Sequence, residues 1–453
     1  MLFQLYGDPV LESAFSEDAV IQSWLDVEAS LARALGDSGI IAAEQAEEIA
    51  AACTLDIVDR KRLWAETRIV GYPILPLVRM ICAALPPDTA GYVHWGATTQ
   101  DIMDTALVLQ VTAAVSRLRE LACGFGDALA VLTGRYRDTV MAGRTHGQQA
   151  VPTTFGAKCA VFLAQAGRDL LRLDQAGRAA AQVSLFGAGG TSAALGDSAP
   201  VVRLALAARL GLANTAVPWH VARDGLVDVG QTAAVASGTA VRFAREVADL
   251  ARTEIGEVAE ADGEYRGASS TMPQKANPVS AEAIIGLGVA GGAMASALLR
   301  ALEAGHERAA GEWQVEWQAL PYVLRSAAGA LRIAGQLARE LRVFPERMRA
   351  NLELDHGLVL AEAYMSRLAG VIGRDKAHEL VYQASRQSRE QGRPLARILA
   401  GLAEAGAFPA GVVSLVSPED YVGRAGAVCD ESLSAWRECR TAVPGVQAER
   451  SGE

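Results

Sequence analysis

The sequence predicts an all-α protein built on a bundle of long helices, and three observations carry that prediction. Hydrophobic residues make up 51% of the 453-residue chain and aromatics only 6%, so Ala, Leu and Val supply the apolar share and helix is the favoured element. Apolar residues recur at threes and fours over long stretches, as a helix with one buried stripe requires. No strand-rich region is visible, although Gln182–Leu185 reads as either a short strand or an irregular lead into the glycines that follow it.

Each element follows in order. Residues 1 to about 90 read as shorter helical pieces, broken at Gly39 and Pro73 and ended by Pro86-Pro87. From Asp101 to Asp138, Ile102, Leu107, Leu109, Val115, Leu118 and Leu121 mark one long helix. A second starts after Thr153, and a third spans Val227 to Ala261 with Val241, Phe243, Val247, Leu250 and Ile255 on its apolar side. The uncharged run Ile284–Leu299 lies in the fourth. It falls short of the ~18 residues that suggest a membrane span and is interrupted by Gly286, Gly288, Gly291 and Gly292, so a helix buried on all sides of a bundle is expected. Leu320–Leu341 is the fifth. After Phe344-Pro345 the pattern returns to short helices and ends in a polar tail expected to be mobile. The expected division is an N-terminal helical domain at 1–100, a central long-helix bundle at 101–343 and a C-terminal helical domain at 344–453.

Composition excludes several functions. Lys plus Arg is 42 against 52 Asp plus Glu, a net charge of −10, with no basic run, which disfavours nucleic acid. Cys53, Cys82, Cys123, Cys159, Cys429 and Cys439 are scattered singly, as reduced thiols of a cytoplasmic protein would be. Met1–Asp8 has no basic segment leading into a long apolar one, so no export signal or membrane anchorage is expected. None of the six histidines forms a metal-ligand pattern. Gly187, Gly189 and Gly190 lack the dinucleotide spacing, so they read as a tight turn and no cofactor is expected.

Three segments between the long helices concentrate polar residues. His94-Trp95-Gly96-Ala97-Thr98-Thr99-Gln100-Asp101 precedes a helix; it reads either as an ordinary cap or as an anion site of hydroxyls and helix N–H groups. Gly143–Thr154 holds His146 with Thr145, Gln148 and Gln149 beside it, a polar cluster costly to place between apolar helices without a ligand or water. Gly267–Pro278 brings Ser269, Ser270, Lys275 and Asn277 into a Gly- and Pro-containing loop, which is either a mobile surface loop or a lid over substrate.

In this order and on long helices, the three segments resemble the signature regions of the fumarase/aspartase superfamily. The third is the most specific, because Ser269 to Asn277 fits the pattern S-S-x-M-P-x-K-x-N throughout. Thr67–Val78 and Gly305–Trp317 resemble the 3-carboxy-cis,cis-muconate cycloisomerase and adenylosuccinate lyase-like branch. The resemblance implies no cofactor and a homotetramer whose sites are shared between subunits and act on a small dicarboxylate. Ser269 is implied as the base, Lys275 and Asn277 as holders of an aci-carboxylate, and Thr98, Thr99, Thr145 and His146 as groups on the carboxylates or the leaving side. Gln149, Ser270 and Met272 complete the implied set.

Four departures bear on substrate, one of them Ala268 where relatives usually have Gly. Adenylosuccinate lyases carry His-Asp where this chain has Gly71-Tyr72, bacterial muconate cycloisomerases often lack a histidine at the position of His146, and Ala276 stands where many relatives have Arg. The expected activity is β-elimination from a substituted succinate, with nitrosuccinate a candidate that would release nitrite and fumarate. The alternatives are 3-carboxy-cis,cis-muconate cycloisomerisation, an adenylosuccinate-type C–N cleavage and a helical scaffold without catalysis.

Overall fold

The computed structural model describes residues 1–261, 263, 266–409 and 411–443. The polar tail expected to be mobile lies at 444–453, outside the described residues. The all-α expectation holds, with 69% of the chain helical and 5% in strands.

All five expected long helices form: Thr99–Arg135, Phe155–Ala180, Asp224–Leu250, Val279–Leu298 and Glu312–Glu340. The first has 37 residues, about 55 Å at 1.5 Å per residue. Its buried residues, among them Ile102, Val111, Val115, Leu118, Phe125 and Leu129, recur at helical spacing, and this periodicity made it legible. The N-terminal region is less fragmented than expected, since Glu17–Asp37 is one helix of 21 residues with Ser16 accepting the Ala19 N–H as its cap.

Two expectations need correction. The third long helix stops at Leu250 rather than Ala261. There the Glu257 N–H turns back to Leu250 O and Gly256 takes a φ of 63°, after which Val258–Ala259 pairs antiparallel with Arg342–Val343. The apolar residues beyond Leu250 thus serve a strand whose partner lies far along the chain. The helix containing Ile284–Leu299 is also not buried on all sides. With its 3₁₀ extension it runs Val279–Glu303, 25 residues that include an 18-residue stretch of mean hydropathy 1.6, and 33% of that stretch is buried within this chain. Ile284, Leu287 and Leu298 are covered, whereas Val289 is 56% and Leu302 48% exposed. By length and composition alone this helix could cross a membrane.

A β-hairpin was not anticipated. Val140–Thr145 (β1) pairs antiparallel with Gln148–Thr154 (β2), so the second polar segment is a ribbon rather than a loop. Ala142 of β1 packs in one apolar cluster with Leu352, Tyr364, Leu368 and Leu395, which seats the ribbon's base on the C-terminal helices.

The chain gathers into two compact units. One comprises Met1–Ala122, Asp169–Ala240 and Gly286–Arg332; the other comprises Cys123–Arg168, Val241–Ile285 and Ile333–Glu453. Each of the five long helices contributes a stretch to each unit. The division at residues 100 and 343 stands as a proposal about sequence segments. None of the six cysteines is in a disulfide, and burial pushes the Cys53 thiol up to about 12.

Candidate active site

The first segment lies in the first unit. Thr98 caps the Thr99–Arg135 helix, and its own N–H is accepted by Asp101 Oδ2 at 3.0 Å, as in a capping box. Thr98 and Thr99 are half-buried at this N-terminus, where free N–H groups and the helix dipole favour an anion. The ordinary-cap reading of this segment is therefore fulfilled by Asp101, which leaves the Thr99 hydroxyl uncommitted among the described residues.

A cation stands over this helix start that the sequence reading did not place there. Arg308 donates through Nη2 to Thr98 Oγ1 at 3.3 Å and to Ala188 O at 3.2 Å, and through Nε to Gln100 Oε1 at 3.1 Å. The only sequence signal for it was its presence in the Gly305–Trp317 likeness, which said nothing of its neighbour. Behind it, Arg223 is buried between Asp104 and Glu316, bonding Asp104 at 2.7 and 3.0 Å. Burial pushes the Arg223 guanidinium down, but the two carboxylates outweigh it and hold it above its ordinary value. A half-open cavity of about 350 Å³, walled by Trp24, Trp64, Trp313, Trp317 and Pro73, also lies in this unit; none of the expected site residues lines it.

Burial pushes the Asp101 carboxyl up, yet the hydrogen bond and charge of His220 and the amides of Phe186 and Gly187 hold it below the usual carboxylate range. His94, with a φ of 63°, places Nδ1 2.6 Å from Glu28 Oε1. Burial pushes this imidazole down, but the Glu28 charge and hydrogen bond, with help from Asp101, raise it above its ordinary 6.5. The stabilisation from this pair is fully present below pH 6.5 and is lost as pH rises through the raised folded value. Melting temperature measured between about pH 6 and 9 is expected to fall on the alkaline side in the wild type and to flatten in Glu28→Gln. An unchanged slope in Glu28→Gln would place that titration elsewhere.

The second segment lies in the second unit. His146-Gly147 is the two-residue turn of the hairpin, and both residues have positive φ, 53° and 75°, the pattern of a type I′ turn. Gly147 accepts that conformation freely; a histidine does so at some cost, and such strain concentrates at functional positions. Thr145 and His146 are exposed at the tip. The base is rigid: Arg144 grips the fully buried Glu257 with bonds of 2.9 and 2.6 Å, and Asn351 Nδ2 donates to the same carboxylate at 2.8 Å. Gln149 belongs to this base, donating to Asn351 O at 2.9 Å. Its amide nitrogen is therefore committed away from the tip where substrate contact was expected.

The third segment is a loop with a closed neck, also in the second unit. Ala268 bridges Ala276, and both the N–H and the side-chain amide of Asn277 donate to Gly267 O, at 2.9 and 3.0 Å. Gly267 has a φ of 67°, and a Cβ there would sit 2.4 Å from Asn277 O, so no other residue fits without a shift. Asn277 is thus spent on the neck through its nitrogen. Glu260 accepts the N–H groups of Ser280 and Ala281 at the start of the next helix, and Arg266 donates to Ser280 Oγ at 2.8 Å, which fixes the loop's two ends.

Within the loop, Ser269 Oγ accepts the backbone N–H groups of Thr271 and Met272 at 3.3 and 3.1 Å. Ser270, Met272 and Lys275 are exposed, and no partner takes the Lys275 ammonium among the described residues. The fold therefore brings Ser269, Ser270, Met272 and Lys275 together on one loop. No hydrogen bond joins that loop to the His146 tip among the described residues. Nor do three His, Cys, Asp or Glu side chains converge there as metal ligands would.

A helix bundle carrying a hydroxylated helix start, a histidine at a strained turn and a serine-lysine loop has the features of a lyase that handles carboxylates. Residues 7–291 match a family model described as Lyase, and residues 357–432 match one described as Adenylosuccinate lyase C-terminus. The chain belongs to the fumarase/aspartase superfamily of lyases, and it is an enzyme of that superfamily rather than a bare scaffold. It is 40% identical over 429 residues to the 3-carboxy-cis,cis-muconate cycloisomerase of Pseudomonas aeruginosa, covering 94% of each chain. It is 36% identical over 440 residues to the nitrosuccinate lyase of Streptomyces davaonensis, covering 94% of this chain and 92% of that one. The crystal structure of the 3-carboxy-cis,cis-muconate lactonizing enzyme from Pseudomonas putida matches with a TM-score of 0.91 at 35% identity, covering 97% of this chain and 99% of that one.

Proposed function

We propose that the chain catalyses β-elimination from a substituted succinate through an aci-carboxylate, with nitrosuccinate the leading candidate and fumarate and nitrite the products. The observation that carries this reading is the pair of N–H groups on Ser269 Oγ. A free hydroxyl is a weak base at neutral pH, and its conjugate oxyanion becomes accessible only where dipoles and positive charge favour it. Thr271 and Met272 supply the dipoles, and Lys275 on the same loop supplies the charge.

In the proposed reaction the Ser269 oxyanion takes the proton from the carbon beside one carboxylate and returns to the hydroxyl, while that carboxylate takes up a second negative charge. Lys275 stabilises that charge, and preorganised donors of this kind contribute about 3–4 kcal/mol each. The C–H electron pair becomes the new double bond, and the neighbouring C–N bond breaks with its electrons leaving on nitrite. Thr98, Thr99 and Arg308 at the helix start would hold the other carboxylate, with Thr145 and His146 on the leaving side. Nitrite leaves without needing a proton, which suits a histidine that binds rather than donates.

Cycloisomerisation of 3-carboxy-cis,cis-muconate is the second reading, favoured by the 40% identity to a cycloisomerase. His146 and Ala276 favour elimination. The test is absorbance near 240 nm with nitrosuccinate, aspartate, argininosuccinate, adenylosuccinate and 3-carboxymuconate. Fumarate appearing from nitrosuccinate supports the first reading. Loss of 3-carboxymuconate alone sinks it in favour of the second.

The assembly proposed is a cytoplasmic homotetramer in which His146 and Ser269 serve a site from different chains. It is supported by the apolar Val279–Glu303 helix, on which this chain leaves Val289 56% and Leu302 48% exposed. Ser269→Ala and His146→Ala subunits, mixed equally and exchanged, are expected to restore about a quarter of the sites. Activity no higher than the mean of the separate variants, with exchange verified by mass spectrometry, would show that each site is built from one chain.

A further inference from the structure

Asp101 accepts far more hydrogen bonds than a helix cap requires. A capping box uses one, the Thr98 N–H at 3.0 Å. The same carboxylate, wholly buried, also accepts Ser184 Oγ at 2.9 Å, Phe186 N–H at 3.0 Å, Gly187 N–H at 2.9 Å and His220 Nε2 at 2.7 Å. Its donors come from three separate stretches of chain. Only an ionised carboxylate, with acceptor sites on both oxygens and no donor of its own, can satisfy all five.

These bonds close a ring around the candidate anion site. Asp101 binds Gly187, the next residue's carbonyl at Ala188 accepts from Arg308, and Arg308 donates to Thr98 Oγ1, whose backbone N–H returns to Asp101. A second path runs through His220. Its carbonyl accepts Gln100 Nε2 at 2.8 Å, and Gln100 Oε1 accepts Arg308 Nε at 3.1 Å. The turn at 186–187 is held by Gly187 at a φ of 71°. Loss of the His220–Asp101 bond removes one of the five restraints that orient Asp101, and so loosens the hold on the Thr98 amide and on the Phe186-Gly187 turn beside Arg308; neither Thr98 nor Arg308 bonds the His220 ring.

We infer that Asp101, oriented by the buried His220, is the positioning residue that holds Thr98 and Arg308 in register for a substrate carboxylate. This inference rests on the proposed dicarboxylate site. It assigns no chemical step to Asp101 or His220, which act on substrate through Thr98 and Arg308.

His220 offers the cleanest variants. Its ring packs edge-on against Phe186 with centroids 6.0 Å apart, so His220→Phe keeps the packing and removes the donor, while His220→Gln retains a donor. Asp101→Asn opposes N–H donors with an amide NH₂. The measurements are the Kd for fumarate by calorimetry, KM and kcat on the substrate found by the panel, and amide hydrogen exchange at Thr98, Phe186 and Gly187. His220→Phe is expected to raise Kd and KM about 10-fold with a smaller change in kcat and faster exchange at the three amides, and His220→Gln to restore most of the loss. Asp101→Asn is expected to raise them about 100-fold. If Asp101→Asn does not fold, the two His220 variants decide. Unchanged Kd and KM in folded His220→Phe, unchanged exchange, or equal damage from Phe and Gln would overturn the inference. Wild-type protein that binds no fumarate and turns over nothing in the panel would overturn the site reading and this inference with it; wild-type binding matched by the variants overturns this inference alone.

Discussion

Ser269→Ala is expected to lower kcat by about 10²–10⁴-fold while leaving the melting temperature nearly unchanged. The hydroxyl sits on a loop outside the apolar core and receives two backbone N–H groups, from Thr271 and Met272. Those bonds favour the oxyanion that acts as base in the proposed mechanism but contribute little to packing, because the neck of the loop is closed independently by Gly267, Ala268, Ala276 and Asn277. Exposed substitutions away from caps and cores usually change stability by no more than about 0.5 kcal/mol. Steady-state kinetics and a thermal melt on the same preparation test this together. Near-wild-type kcat in folded Ser269→Ala would remove Ser269 as the base.

Lys275→Met is expected to lower kcat by about 10²–10³-fold and to raise KM at the same time. The ammonium has no partner among the described residues, so it is available both to the substrate carboxylate in the ground state and to the doubly charged form that follows proton removal. A group that faces both states affects binding and turnover together, whereas one that meets only the second would change kcat alone. Methionine keeps the length and much of the flexibility of the side chain without its charge. A variant whose melting temperature shifts while both kinetic constants hold would make Lys275 structural.

The elements that were legible in the sequence are those whose signal is local. Ile102, Val115 and Leu118 recur at the helical period because one face of a single helix is buried, so the Thr99–Arg135 helix could be read without knowing what covers it. The S-S-x-M-P-x-K-x-N run likewise concentrates Ser269 and Lys275 on one loop by sequence proximity alone. The β1–β2 hairpin was missed because Pro152 argues against a strand and His-Gly is not among the strong turn pairs, although Gly147 was a signal that could have been weighed. The helix ending at Leu250 was overextended because Val258 is apolar for a strand partner at Val343, 85 residues later (343 − 258), that no local window contains.

By itself the sequence determined the helix class and the superfamily, and it put the proposed base Ser269 on one loop with Lys275, since each depends on neighbours within a few turns of chain. Tertiary structure alone decided that Arg308 stands on Thr98, that Asp101 gathers donors from residues 184, 186, 187 and 220, and that the Asn277 and Gln149 amides are turned inward to hold a loop and a hairpin. Periodicity reports which face of an element avoids water. It carries no information about which distant polar group meets a buried carboxylate, because that pairing is set by the desolvation cost each donor avoids once the helices have packed.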